Sequence, residues 1–276
     1  MLVSPLDHAH VPSSINPSSK GIHPTALIAP GAKIGSDVTI GPYSIIGEHV
    51  RIGQGTTIAS HVTIEGWTQI GERNYIGIGS IIGGIPQDLK FKGEISKVFI
   101  GNDNVIREYV TINRGTAGGG GETFIGNSNV FMTYVHVAHD VSVGNNNIFS
   151  NSSGIAGHVV IEDNVTVGAF SVLHQFIKLG RMSMIGALSL ITKDVTPFAL
   201  VSGNPAKRYG LNIERLRRSG YNPEARIAIQ RAYKILFHKG FSMKKAIEQL
   251  ECEFPENLDI QYLIQFLHNS TRGIYR

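Results

Sequence analysis

The chain holds one cysteine, Cys252, among 276 residues. That excludes an internal disulfide framework and any cysteine-rich zinc site. No run of about 18 apolar residues occurs, which excludes a membrane-spanning helix. The first residues lack a basic region followed by an apolar stretch, so no secretory signal is expected, and a reduced, cytoplasmic compartment is the simplest expectation. Charge is also scarce, at 17% of residues against about 25% in an ordinary globular chain. The 42% of apolar residues nevertheless argues against global disorder. What the chain has in excess is glycine, 32 residues, and the length suits one large domain or two modest ones.

The formal net charge of +4 is unevenly spread. Residues 1–210 carry 14 Lys+Arg and 14 Asp+Glu, whereas residues 211–276 carry 11 and 7, so the whole excess lies in the C-terminal part. A basic face there suits nucleic acid, an anionic membrane, an acidic protein or a nucleotide as partner, or is an ordinary solvated helical surface. Arg215, Arg217 and Arg218 cluster, but without the length and interleaved aromatics of a nucleic-acid tract, so no nucleic acid is expected.

Aliphatic residues recur every six positions: Ile22, Ile28, Ile34, Ile40 and onward without a slip to Ile82, then Ile100, Ile106 and Ile112. After a shift of one residue the series runs from Ile125 and Phe131 through Val137, Ile155 and Leu173 to Ile191. Neither a strand period of 2 nor a helix period of 3.6 gives this spacing. Short strands that turn a corner every six residues do, as in a hexapeptide parallel β-helix. Three sides make a coil, so residues three hexads apart should stack, and glycine after the inward residue should relieve the corner. Two interruptions, near 83–97 and 113–124, read as external loops, the first as a replacement for three hexads. The pattern ends near Pro197. The expected organisation is therefore a poorly ordered extension over 1–20, a β-helix over 21–197, and a C-terminal helical domain over 198–276. Asn222-Pro223-Glu224, Ser242 and Asn257 are helix starts, Gly240 is a stop, and Leu258, Leu263, Ile264 and Leu267 form an apolar face.

Four histidines fall between 136 and 174: His136, His139, His158 and His174. Asp140 precedes His158 by three hexads, so the two should sit on adjacent coils, with His139 one coil below Gly157. Two chemistries compete for this cluster. His136 and His139 with a third histidine could bind zinc, although residues three apart on a strand face opposite ways. Alternatively one histidine acts as a general base oriented by a neighbouring carboxylate. Neither a P-loop nor a dinucleotide fingerprint is present.

Residues 106–116 (IREYVTINRGT), Gln87-Asp88-Leu89-Lys90, His136-Val137-Ala138-His139-Asp140, Ala156-Gly157-His158 and His174-Gln175-Phe176 form a set of irregular stretches along the repeat. Together they resemble the UDP-N-acetylglucosamine O-acyltransferases that open lipid A synthesis. The resemblance extends from about residue 21 to the end and includes Leu211-Asn212-Ile213-Glu214 and Ser270-Thr271-Arg272-Gly273. It implies a left-handed parallel β-helix, an exception to the usual right-handed crossover, and a homotrimer with active sites between neighbouring prisms. It also implies direct transfer of a 3-hydroxyacyl group from acyl carrier protein to the 3-hydroxyl of UDP-N-acetylglucosamine. The donor chain is carried on phosphopantetheine, and no metal, other cofactor or covalent acyl-enzyme is needed.

By the same resemblance His139 matches the general base, with Asp140 beside it, and the Gly157 amide matches the oxyanion donor. Asp88 matches a sugar-binding carboxylate, with Gln87 and Lys90 in the same loop. His136, His158, His174 and Gln175 match substrate-positioning residues. Asn212, Glu214 and Arg218 match the end that handles the nucleotide and pantetheine arm. Ser219 stands where the family often has a second arginine. Ala187, between two and three coils past His139, leaves room for a long acyl chain in the groove. A 3-amino acceptor, a trimeric zinc hydratase of carbonic anhydrase type and a non-catalytic binding wall are the alternatives.

Overall fold

The structure, a computed structural model, describes residues 21–238 and 240–275; the 1–20 extension lies outside them. The six-residue register produces strands of mostly two residues that visit three faces in turn: Leu27–Ile28 on the first, Lys33–Ile34 on the second, Thr39–Ile40 on the third. The second residue of each pair points inward. Ile40, Ile46, Ile58 and Ile64 are all at most 1% exposed, as are Phe131 and Phe149 higher up, and each such side chain stabilises the prism by about 1.5–3 kcal/mol. Among the described residues the faces hold nine, eight and ten strands. Pairing is parallel throughout except in the last hairpin, Ala199–Gly203 with Ala206–Leu211. The solenoid is a left-handed parallel β-helix followed by C-terminal helices.

Coils repeat at the expected interval of three hexads, as in Ile40↔Ile58 and Val137↔Ile155. The interruptions differ from the expected replacement of hexads. Ile70 pairs with Ile100 and Ile100 with Ile125. Each insertion therefore enlarges one corner of a single continuing coil. Stacked asparagines show the lengths: Asn74 to Asn104 spans 30 residues and Asn104 to Asn129 spans 25, against 18 from Asn129 to Asn147. Both insertions enlarge the same corner, the edge between the first and second faces, on consecutive coils.

The glycines relieve a crowded corner, as expected, and they do so by permitting close approach. The corner residues with left-handed backbone are mostly not glycine: Tyr43, Asp140, His158 and Phe176 have φ between 59 and 67°. A Cβ on Gly41 would lie 2.7 Å from the Ala59 carbonyl carbon and 2.8 Å from the Ser60 nitrogen on the next coil. Where corners would leave buried backbone amides unpaired, an asparagine column supplies acceptors. Oδ1 of Asn74, Asn104, Asn129 and Asn147 accept the N–H of Asn104, Asn129, Asn147 and Val165 in turn.

The strand pattern runs on past Pro197 to Leu211, so the helical part starts at Ile213 and not at 198. Four helices follow among the described residues: α1 (Ile213–Arg218), α2 (Pro223–Leu236), α3 (Met243–Glu253) and α4 (Leu258–His268). Asn222, Ser242 and Asn257 cap them as expected, their side chains accepting the N–H of Ala225, Lys245 and Ile260. Helix α2 ends at Leu236, before Gly240. Leu263, Ile264 and Leu267 are buried, but Leu258 is 85% exposed and outside the apolar face. Buried Tyr233 ties α2 to the last coil through the Thr196 hydroxyl (2.9 Å) and the Pro197 carbonyl.

Gly41→Ala should destabilise the fold by about 1–3 kcal/mol, the usual cost of overpacking. The check is a lower urea midpoint at unchanged m-value; an unchanged midpoint would show that the coils can part without cost.

Candidate functional site

The edge between the first and second faces carries both inserted loops and, on the coils above them, His139-Asp140, Gly157-His158 and His174-Gln175-Phe176. The coil repeat stacks these corners. Asp140, His158 and Phe176 share the left-handed corner conformation. The His158 N–H donates to the His139 carbonyl (3.2 Å), and the Phe176 N–H donates to that of Gly157 (3.2 Å). The His158 ring lies flat on Phe176 at 4.4 Å and edge-on to His139 at 5.1 Å. Asp140, His139 and Gly157 are thus brought together as their spacing predicts.

The Asp140 side chain is fully buried, and that of His139 is 13% exposed. His139 Nδ1 lies 2.8 Å from Asp140 Oδ2, so the ring nitrogen donates to the carboxylate and Nε2 is left as an acceptor. A Cβ on Gly157 would fall 2.6 Å from His139 Cε1 and 2.9 Å from Nε2. Glycine at 157 is therefore what lets the imidazole lie against that stretch of backbone. The Gly157 N–H has no hydrogen-bond partner among the described residues, as is also true at the stacked His139 and Gln175 corners.

His136 is on the first face one strand earlier, its Nδ1 at 2.7 Å from the Thr111 hydroxyl. Burial, then the nearby His139, holds its pKa below the usual value. Burial likewise lowers that of His158, against the opposing pull of Asp140 and Asp88. Asp88 is half-buried in the first loop, where its carboxylate accepts the Lys90 N–H (2.9 Å); Gln87 and Lys90 are exposed. His174 Nδ1 is 3.1 Å from both the Gln175 carbonyl and the Arg272 guanidinium. Arg272 can only donate and the carbonyl can only accept, so the nitrogen serves one of them at a time.

The remaining expected residues stand elsewhere on the chain. Asn212 is buried and caps α1: its Oδ1 accepts the Arg215 N–H and its Nδ2 donates to the Met182 carbonyl. Glu214 accepts from Arg217 (3.0 Å) and Arg218 (2.8 Å), and Ser219 is the C-cap of this helix. Arg215, next to this set, reaches the corner residues Asn164 and Asn146 between the second and third faces. Ala187 is exposed on the edge between the third and first faces. Within one chain these positions therefore occupy three different edges of the prism.

The second loop contributes residues whose roles the sequence did not mark, although Asn113, Arg114 and Thr116 lie in the 106–116 stretch that carries the resemblance. Thr116 donates its N–H (2.8 Å) and hydroxyl (2.6 Å) to the Asp140 carboxylate, and the Thr123 hydroxyl accepts the Asp140 N–H (2.9 Å). The two loops are stitched together. Asn113 donates to the Ile85 carbonyl, Arg114 to that of Gly83, and Glu94 accepts the Ala117 N–H. A hydroxyl in the glycine-rich stretch Arg114-Gly115-Thr116 is a signal, but it has meaning only once the loop is known to cover a carboxylate.

One atom each from His139, Asp140 and His158 lies within 4.8 Å of the others, a spacing that a metal ion could use. This is not the His136–His139 set that the sequence spacing offers. Both Asp140 oxygens already accept donors from Thr116 and His139, so the arrangement suits a carboxylate that orients an imidazole better than a chelate.

Comparison with known proteins gives the same picture. The family model described as UDP N-acetylglucosamine O-acyltransferase, domain 2, matches residues 194–275, and the bacterial transferase hexapeptide model matches 21–54 and 31–66. An acyl-[acyl-carrier-protein]--UDP-N-acetylglucosamine O-acyltransferase of Thiobacillus denitrificans is 48% identical, over 92% of this chain and 99% of its own length. One from Xylella fastidiosa is 46% identical, over 95% and 100%. Among solved structures, a UDP-N-acetylglucosamine O-acyltransferase from Moraxella catarrhalis superposes with a TM-score of 0.90 at 43% identity, over 92% of this chain and 99% of that one. Likeness of this extent and degree over nearly the whole of both chains places the protein in the UDP-N-acetylglucosamine O-acyltransferase family.

Proposed function

We infer that the protein transfers a 3-hydroxyacyl chain from acyl carrier protein to the 3-hydroxyl of UDP-N-acetylglucosamine, the first step of lipid A synthesis. The observation that carries this reading is the His139–Asp140 pair, 2.8 Å apart, set against a glycine backbone on the edge where both loops emerge. Asp140 keeps the proton on Nδ1, and Nε2 takes the proton of the sugar hydroxyl as its oxygen attacks the thioester carbonyl. The carbonyl oxygen gains the negative charge, and the Gly157 N–H is the donor placed to stabilise it. When the tetrahedral intermediate collapses the C–S bond breaks, and the His139 imidazolium returns its proton to the pantetheine sulfur. The cycle balances without a resident cofactor, since the acyl group arrives on the carrier.

Asp88 and Lys90 on the first loop, with Gln87, His136, His158, His174 and Gln175 around the dyad, form the acceptor-binding surface in this reading. Asn212 serves by capping α1, which presents Glu214, Arg217 and Arg218. The basic excess of residues 211–276 suits an acidic carrier. A homotrimer is supported by the first face. Leu27, Ile45, Ile81, Val172 and Leu190 are 38–64% exposed along it, and Tyr43, Tyr109, Tyr134 and Phe170 are 49–60% exposed on its edge. An apolar band of this kind calls for a partner surface. Packing three prisms edge to face would bring the 187 and 212–218 edges toward a neighbour's dyad.

Purified protein incubated with UDP-N-acetylglucosamine and 3-hydroxyacyl carrier proteins of graded length should yield O-acylated sugar nucleotide. No product with any chain length would overturn the assignment. His139→Ala should lose at least about 100-fold in kcat, the scale of general-base catalysis, while nucleotide binding persists. Ala187→Met should shift preference toward shorter chains; an unchanged length profile would remove Ala187 from the groove.

The lowered pKa values of His136 and His158 also set a pH dependence. Unfolded histidines take up protons near pH 6.5, before these two do in the fold. The stability they contribute is therefore present above that pH and is lost as pH falls through the depressed folded values. The Tm of the wild type should drop between pH 7 and 5 by more than that of His136→Asn or His158→Gln. Parallel Tm curves would contradict the shifts.

A further inference from the structure

The glycine-rich loop over residues 113–124 passes as a flexible spacer on composition alone, yet its path is dictated by one carboxylate. Asp140 Oδ1 accepts the Thr116 N–H, and Oδ2 accepts both the Thr116 hydroxyl and His139 Nδ1. Thr116 is itself 4% exposed. Glycine is needed on both sides of it. A Cβ on Gly115 would fall 2.2 Å from the Glu122 nitrogen and 2.4 Å from the Gly121 carbonyl carbon as well as 2.8 Å from Asp140 Oδ1, and one on Gly119 would fall 2.0 Å from Asp140 Cγ. Farther along, the Thr123 hydroxyl accepts the Asp140 N–H, and Glu94 of the first loop holds the Ala117 N–H. The carboxylate is thus enclosed by a loop whose every close contact is either a donor or a missing side chain.

Asp140 has a second possible partner. His158 Nε2 lies 3.8 Å from the same Oδ2 that His139 uses at 2.8 Å. A carboxylate held only by the His139 contact can rotate about its side-chain bonds toward His158. Two donors from Thr116 on two different oxygens fix its plane and remove that choice.

We propose that Thr116 is a positioning residue for acyl transfer, its hydroxyl and N–H committing the Asp140 carboxylate to His139 rather than His158 so that His139 Nε2 faces the acceptor. The proposal rests on the reading of His139 as the general base. It differs from that reading in assigning the selection of the base to a loop residue that touches neither substrate nor imidazole. Gly115 and Gly119 are the space this hold requires.

The test compares wild type with Thr116→Val, which keeps bulk and backbone and deletes the hydroxyl, with Thr116→Ser, which restores it, and with Gly119→Ala, which presses the carboxylate from the other side. Thr116→Val is expected to lower kcat by about 10- to 100-fold, the loss of one hydrogen bond to a charged group. KM for UDP-N-acetylglucosamine should stay within about twofold. Thr116→Ser should recover most of kcat, and Gly119→Ala should lower kcat as Thr116→Val does. A crystal structure of Thr116→Val should show the carboxylate turned toward His158, and this readout does not depend on activity. Wild-type kcat in Thr116→Val, or an unmoved Asp140 in its structure, would overturn the proposal while leaving the acyltransferase reading intact. A wild-type enzyme without acyl transfer would instead overturn that reading, and the Thr116→Val structure would still decide whether the hydroxyl sets the carboxylate. Should Thr116→Val fail to fold, Gly119→Ala decides alone: retained kcat overturns the proposal, and reduced kcat at unchanged KM supports it.

Discussion

Successive coils of the prism lie so close that the backbone above fills the place of a side chain below. At Gly41, Gly53 and Gly77 a single methyl group would come within 2.7 Å of a carbonyl carbon on the next coil. Parallel strands at about 4.8 Å spacing impose this contact where glycine follows the inward residue; at other corners the same position holds Ala59, Glu65, Arg107 or Glu162. Charge is excluded from the inward position because no water reaches it. Corners must turn within a few residues, so a non-glycine residue takes the left-handed conformation and projects its side chain outward.

That last consequence is where the fold meets the chemistry. A corner whose left-handed residue recurs on every coil sets side chains in a column. On most edges the column is structural or solvent-facing, and one residue past the left-handed Arg73, Asp103, Ser128 and Asn146 the asparagine series satisfies buried amides. On the edge between the first and second faces it is Asp140, His158 and Phe176. An acid, an imidazole and a ring are thereby placed at fixed spacing by backbone geometry, on elements that do not need to move for the dyad to form. Rigid placement of this kind is what a proton-transfer site requires.

The periodic part of this architecture was legible in the sequence because each inward position obeys one rule. Ile40, Ile58 and Ile76 could be stacked on paper, and they stack in the prism. Arithmetic on the same repeat placed Asp140 beneath His158 and His139 beneath Gly157, since no insertion falls between them. It failed where the repeat is broken. The extra residues after Ile82 look like lost hexads in a linear reading, because Asp88 and Glu94 fall in phase. Only strand pairing reveals that the coil simply continues at Ile100. Glycine is legible as the relief of a crowded corner, but conformational freedom and close approach leave the same residue in the sequence, and only the position of the next coil shows that close approach applies at Gly41. Thr116 was out of reach because its partner is 24 residues away, across a loop whose length follows no period. The edges that hold Ala187 and Asn212 could be assigned only once the three faces were known.

Both insertions fall at one corner, on the two coils directly below His139, and this placement answers an electrostatic need. A carboxylate with no exposed side-chain surface loses its hydration, a cost of several kcal/mol unless donors replace the water. The wall supplies few of them, since its inward positions are aliphatic and most of its strand amides are committed to neighbouring coils. For Asp140 the donors come from chain that leaves the prism and folds back, which is what residues 113–124 do, braced through Glu94 and Asn113 by the longer loop beneath. Burial in turn strengthens the hydrogen bond from His139, because the attraction of carboxylate for an imidazolium grows as the local dielectric falls. The two buried carboxylates among the described residues of the prism, Asp140 and Asp194, are each met by chain from outside the regular wall: the Thr116 hydroxyl of the second loop for one, and the Ser270 hydroxyl, beside the Lys178 N–H, for the other.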